Sequence, residues 1–173
     1  MLKLLRRFFI DAAFAKKKAF LKSLSLFQEL SPRDLGHILA ALHTKVYHEG
    51  EVLFIEGDPG QSLFILESGR VELSKLDPHG RPQRLIVLGP GDFFGEMALL
   101  EQLPRSASAV SLEKSTLHLL NRKKMEDLLQ HHPLIGVSIM RHLAQLLSAR
   151  LRRASQSLVG GEGLGASPRV AAL

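Results

Sequence analysis

At 173 residues, 45% hydrophobic and 23% charged, the sequence has the size and composition of one globular domain, which excludes wholesale disorder. It has no cysteine, which removes disulfides, thiolate zinc sites and thiol catalysis together and fits a reducing compartment. The net charge of +6 points to nucleic acid or anionic lipid only until it is partitioned: residues 1–25 hold seven Lys/Arg and one acid, residues 26–140 eleven and fifteen, residues 141–173 five and one. The body is acidic and both ends are basic.

The first stretch, residues 1–25, reads as a basic amphipathic helix. Leu2, Leu5, Phe9 and Ala12 fall on one face, and Arg6, Arg7 and Lys17 on another. It imitates a signal peptide, but Asp11 breaks its apolar run and Lys16-Lys17-Lys18 follow, which argues against export. No segment reaches the roughly 18 uninterrupted apolar residues of a membrane helix. The expected location is therefore cytoplasmic. The helix has three expected uses: packing on the domain, contact with an anionic membrane surface, or binding a partner. A second helix is expected from Ser31 as N-cap and Pro32 at the first helical position, running through Leu35, Ile38, Leu39 and Leu42.

From Thr44 to Asn121 short strands alternate with turn signals. The expected strands are Lys45–His48, Val52–Glu56, Ser62–Leu66, Arg70–Leu76, Gln83–Leu88, Ser106–Leu112 and Thr116–Leu120. Turns are marked by Gly57-Asp58-Pro59-Gly60, Ser68-Gly69, Asp77-Pro78-His79-Gly80 and Gly89-Pro90-Gly91-Asp92. Strands this short and evenly spaced, with no strand–helix–strand alternation, exclude a parallel sheet and give a mainly β fold, a jelly-roll-like antiparallel β-roll with flanking helices. Helical periodicity returns at Arg122–Gln130, and Pro133 opens a longer helix to about Ser157. The expected organisation is a helix over 1–25, a domain over 26–157 with its roll at about 44–121 and helices at 122–157, and a flexible Gly-rich tail over 158–173. Met140, Leu143 and Leu147 offer a stripe for weak pairing with a second copy through the long helix, interrupted at Arg150.

One segment breaks the strand rhythm: Gly91-Asp-Phe-Phe-Gly-Glu-Met-Ala-Leu-Leu-Glu-Gln-Leu-Pro-Arg-Ser-Ala107. A glycine turn leading into a helical turn presents free N–H groups that suit a phosphate, and Gly95 lets a ligand approach the backbone. Arg105 supplies a planar fork for phosphate and Ser106 a hydroxyl. Glu96 would repel a phosphate, so its suitable partner is an uncharged hydroxyl such as a ribose 2′-OH. An internal Glu96–Arg105 ion pair is the alternative use of the same two side chains.

At these residues the sequence resembles the cyclic nucleotide-binding domain family, whose phosphate-binding cassette runs F-G-E-x-A-L, a variable stretch, then P-R-x-A. Here it reads Phe94-Gly95-Glu96-Met97-Ala98-Leu99 and Pro104-Arg105-Ser106-Ala107, with nine residues from Glu96 to Arg105. The resemblance covers roughly Phe27 to Ser157. It implies a β-roll enclosing a 3′,5′-cyclic nucleotide, with Gly95, Glu96, Met97, Ala98, Arg105, Ser106 and Ala107 as the binding set. Glu96 would take the ribose, Arg105 the cyclic phosphate, and the Ala98 backbone N–H and Ser106 would complete the cradle. Cyclic AMP is the first choice of ligand and cyclic GMP the second. The bacterial activators of the family hold adenine with a hydroxyl pair on the long helix; counted from the helix-opening prolines this chain has Arg150-Leu151 there, so Gln145 and Arg150 are the candidates to cap the base.

The function implied is a small regulatory module, signalling to a downstream protein by ligand-driven movement of the C-terminal helix. The alternatives are a regulator of the Crp/Fnr type working through a partner, and an interaction protein that kept the fold without a ligand. Specific DNA binding is not expected, because only about sixteen residues follow the long helix. Catalysis is not expected either. The sequence has no nucleophile elbow, Walker loop or complete dinucleotide fingerprint, and its eight histidines show no metal-binding spacing.

Overall fold

A computed structural model describes residues 2–160, apart from some side chains near both ends and that of Ala98. Helix α1 (Leu2–Ser23) leads through a 3-10 turn (Ser25–Phe27) to α2 (Pro32–Ala41). Ser31 caps α2 with the expected chemistry: its hydroxyl accepts from Asp34 N–H, and the Asp34 carboxylate accepts from Ser31 N–H, a reciprocal box that satisfies two orphan donors. The faces expected at Leu2, Leu5, Arg6, Arg7, Phe9 and Ala12, and the tail after residue 160, lie outside the described side chains and residues.

Eight antiparallel strands follow: β1 (His43–Tyr47), β2 (Val52–Phe54), β3 (Ser62–Ser68), β4 (Val71–Leu76), β5 (Pro82–Leu88), β6 (Phe93–Phe94), β7 (Ser108–Ser111) and β8 (Ser115–Asn121). They form two four-stranded sheets, β1-β8-β3-β6 and β2-β7-β4-β5. A one-turn helix, α3 (Met97–Leu100), interrupts the strands, and α4 (Arg122–His131) and α5 (Pro133–Gly160) close the fold. The mainly β roll with flanking helices is thus the fold this sequence adopts. All seven expected strands are present, each with one or both ends shifted by one or two residues. The two-residue β6 is an addition that periodicity cannot signal.

Side-chain alternation along strands explains why the apolar run Leu63-Phe64-Ile65-Leu66 has no polar member: β3 is buried on both faces. Phe64 and Leu66 point into the roll with Tyr47, Val71, Leu88, Phe94, Ala109 and Leu117. Leu63 and Ile65 point the other way, into a second core with Leu21, Phe27, Ile38, Leu120, Met125, Ile139 and Leu143. One sheet is therefore the wall between the roll and its helices, with β3 contributing side chains to both cores.

The stripe expected on α5 for pairing with a second copy is in part engaged within the chain. Leu143 is fully buried and Met140 packs against the helical core, so this face of α5 is turned toward its own chain. Among the described side chains of that helix, the exposed large apolar ones are Leu134, Val137 and Leu151.

Asn121 ends β8 and caps α4, its side-chain oxygen accepting from Lys124 N–H at 2.8 Å. Loss of such a cap costs about 1 kcal/mol. Asn121→Ala should therefore lower the melting temperature by a few degrees, measured by calorimetry, while Asn121→Asp should restore most of it.

Candidate functional site

The segment singled out in the sequence is brought together around Arg105. Its backbone is pinned to the β2–β3 connection: Arg105 N–H donates to Asp58 O at 2.8 Å, Gly57 N–H donates to Arg105 O at 2.9 Å, and Pro59 and Pro104 form an antiparallel bridge. The guanidinium lies over the Phe54 ring, 4.2 Å from its centroid, and 5.4 Å from that of Phe64. Phe54, Phe64 and Phe94 form a continuous aromatic floor, Phe64 and Phe94 being stacked at 5.2 Å. Nothing in the cassette pattern names Phe54 or Phe64; the only sequence signal for them is their place in strands β2 and β3.

A planar cation on an aromatic floor is held flat and partly stripped of water. Burial lowers the Arg105 pKa from its usual position, and the negative charges of Asp58 and Glu96 oppose that shift, so the charge is retained in a partly desolvated setting. Its Nη1 donates to Gly95 O over a long 3.4 Å, and its Nε is buried with no protein partner. A buried, charged donor without an acceptor is costly, and an anionic oxygen is the kind of group that would satisfy it.

Gly95 has φ +71°, and a Cβ there would stand 2.6 Å from Arg105 Nη1 and 3.1 Å from Ser62 O. Glycine is required by both the left-handed backbone and the guanidinium beside it. Met97 and Ala98 form the first turn of α3, with Glu96 as its N-cap. Ser106 is exposed and its hydroxyl faces Met97 Sδ at 3.8 Å; Ala107 is half-buried behind it. The Ser108 hydroxyl accepts from Glu56 N–H at 2.9 Å and fixes the loop to the roll.

Glu96 is 5% exposed, and the ion pair it makes is not with Arg105. Its Oε1 accepts from Arg150 Nη1, which reaches in from α5. The alternative of an internal Glu96–Arg105 pair is therefore replaced by a pair that joins the cassette to the long helix. Their separation of 54 positions explains why no local pattern reveals it. Arg122, at the start of α4, donates to Glu101 O at 2.5 Å and Gly60 O at 3.2 Å, so α4 is also tied to the end of α3. Among the described residues no group of three or more His, Asp or Glu is placed to hold a metal ion, and no helix is long and apolar enough to cross a membrane.

A family model described as a cyclic nucleotide-binding domain matches residues 44–132. The cyclic AMP receptor protein of Thermus thermophilus is 38% identical over 138 residues, covering 80% of this chain and 62% of that protein. The crystal structure of the Thermus thermophilus catabolite activator protein matches with a TM-score of 0.70 at 38% identity, over 77% of this chain and 61% of that one. A cyclic nucleotide-binding domain from Methylobacillus flagellatus matches with a TM-score of 0.75 at 26% identity, over 92% of this chain and 88% of that one. The chain spans about three fifths of the length of the first curated relatives it matches, 62% and 58%.

Proposed function

Since the chain belongs to the cyclic nucleotide-binding domain family, we propose that it is a regulatory receptor for a cyclic nucleotide, cyclic AMP first, that signals through the position of α5. The observation that carries this reading is the Arg105 guanidinium, flattened on Phe54 with a buried Nε that lacks an acceptor. A cyclic phosphate supplies two exocyclic oxygens that share one negative charge, which match a planar fork. Gly95 and the first turn of α3, at Met97 and Ala98, leave backbone N–H groups near the same place, and Ser106 adds a hydroxyl at the rim. Ala107 backs the loop that carries Arg105.

Glu96 is the element that links binding to output. A ribose 2′-OH donating to its carboxylate would share that group with Arg150, so ligand and α5 meet at one side chain. A ligand moves α5 only by binding its two positions with different affinity, and a shared carboxylate is a direct source of such a difference. Arg150 is thereby assigned to the ribose side of the ligand rather than to the base.

The test uses a ligand lacking one hydroxyl. Cyclic AMP and its 2′-deoxy analogue should differ by about 1.5–3 kcal/mol, the range for a hydrogen bond to a charged group. The difference should collapse in Glu96→Ala, measured by calorimetric titration. Equal affinity of the two ligands for the unaltered chain would refute the role given to Glu96.

A further inference from the structure

His118 is 1% exposed and belongs to neither the cassette nor the helical latch at Glu96. It sits on β8, between β1 and β3, on the sheet face turned toward α1, where the Phe20 ring lies 5.9 Å from its own. Its Nδ1 is 3.0 Å from the hydroxyl of Thr44, its cross-strand neighbour on β1, and that hydroxyl accepts from Lys17 Nζ on α1 at 3.1 Å. On the other side, Nε2 is 3.0 Å from Glu67 Oε2, close enough for strong charge interaction but poorly aligned as a hydrogen bond. Glu67 lies where the β3–β8 register slips between Leu66 and Ser68, an irregularity of the kind that re-aims a side chain.

The four groups have one self-consistent order of protons. Lys17 donates to the Thr44 oxygen, the Thr44 hydroxyl donates to a neutral His118 Nδ1, and His118 Nε2–H faces the Glu67 carboxylate. A proton added at Nδ1 reverses the middle link. Thr44 must then accept from both neighbours, its own hydroxyl hydrogen loses its acceptor, and a second positive charge appears one hydroxyl away from Lys17.

We propose that Lys17, Thr44, His118 and Glu67 form a proton-sensitive latch, which holds α1 on the roll near neutral pH and releases it on acidification. Lys17 is the charged group facing His118 from α1 and Glu67 the one from β3; β1 contributes only the uncharged Thr44. Burial first, then Lys17, holds His118 below the ordinary histidine value, against the opposing pull of Glu67. The docked state therefore takes up this proton less readily than the undocked one. Docking is complete above about pH 6.5, the unperturbed value, and is lost as pH falls through the lower value of His118 itself. Because α1 packs on α2 and the 3-10 turn, and that turn packs on α5, its release reaches the same helix that carries Arg150. The latch stands whether or not the cassette binds a nucleotide.

The absence of native cysteine makes the test clean. Spin labels at Ala19→Cys on α1 and Glu113→Cys in the β7–β8 turn, both exposed positions, report the distance between helix and roll. One narrow distance population is expected at about pH 7.5, with a second, longer population rising several-fold at about pH 5.5. His118→Gln should flatten this response, and His37→Asn, which removes a histidine ring 3.8 Å from His132 in a separate pair, should leave it intact. Should His118→Gln fold poorly, Lys17→Met replaces it: the imidazole resonance of His118 should then titrate at a higher pH than in the unaltered chain. The latch is overturned if the distances ignore pH while His118 titrates, if His118→Gln keeps the full response, if His37→Asn abolishes it, or if Lys17→Met leaves the titration where it was.

Discussion

Arg105→Ala is expected to weaken cyclic AMP binding by about 2–4 kcal/mol, roughly 30- to 800-fold, because on the proposed reading it removes the phosphate's cation from a partly desolvated site. The magnitude follows from position. A surface cation would contribute little, but this guanidinium lies 4.2 Å from the Phe54 centroid and is half-buried, so its charge is weakly screened. Arg105→Lys is the informative companion. It keeps the charge and loses the fork, the stacking and the rigid reach, so it should recover only part of the affinity. Melting curves of both variants separate a binding loss from a folding loss, since Arg105 also covers the aromatic floor. An Arg105→Ala variant that folds normally and binds cyclic AMP as well as the unaltered chain would remove this arginine from the site.

Gly95→Ala should damage both stability and binding. A left-handed backbone costs a non-glycine residue about 1–2 kcal/mol, and the new Cβ must also displace Arg105 Nη1 from 2.6 Å and press on Ser62 O at 3.1 Å. The combined cost should reach about 2–4 kcal/mol, seen as a drop of roughly 5–10 °C in melting temperature. Gly80→Ala, in the β4–β5 turn away from the cassette, is the control: φ there is +75°, but a Cβ would meet nothing within 4 Å, so it carries the backbone cost alone. Affinity should fall in Gly95→Ala and hold in Gly80→Ala. Equal losses in the two variants would mean that the approach of Arg105 to Gly95 is unimportant.

The parts of the fold that could be read from sequence are those governed by local chemistry. Ser31-Pro32-Arg33-Asp34 announces α2 because capping is settled within four residues. Short runs between evenly spaced turn signals announce the strands, and the cassette pattern announces the loop that carries Gly95, Glu96 and Arg105. What escaped is non-local. Phe93-Phe94 forms a strand only because β3 lies beside it, Phe94 opposite Phe64 and Phe93 opposite Ile65. Leu143 looked available to a partner because helical periodicity marks an apolar face without saying what covers it; the helical core of the same chain does. Arg150 stood among the candidates for the base, but only the packing of α5 brings it to Glu96. His118 is one of eight histidines without a distinguishing local pattern, and its setting appears only when Lys17 and Glu67 arrive from two other elements.

The charge partition also takes on a structural meaning. The acidic body holds its proposed anionic ligand with one arginine, backbone donors and an aromatic floor, and needs no broad basic field. One cation of the basic N-terminal helix, Lys17, is engaged inside the fold, donating to Thr44. Another from the basic C-terminal stretch, Arg150, is spent on Glu96.

The most direct test is a calorimetric titration of the intact chain with cyclic AMP and with cyclic GMP, repeated on Arg105→Ala. The account predicts saturable binding of one nucleotide per chain, tighter for cyclic AMP, and a loss of roughly 30- to 800-fold in the variant. No binding of either nucleotide at millimolar concentration by the folded chain would contradict it, and would leave a protein that keeps the fold for contacts with other proteins.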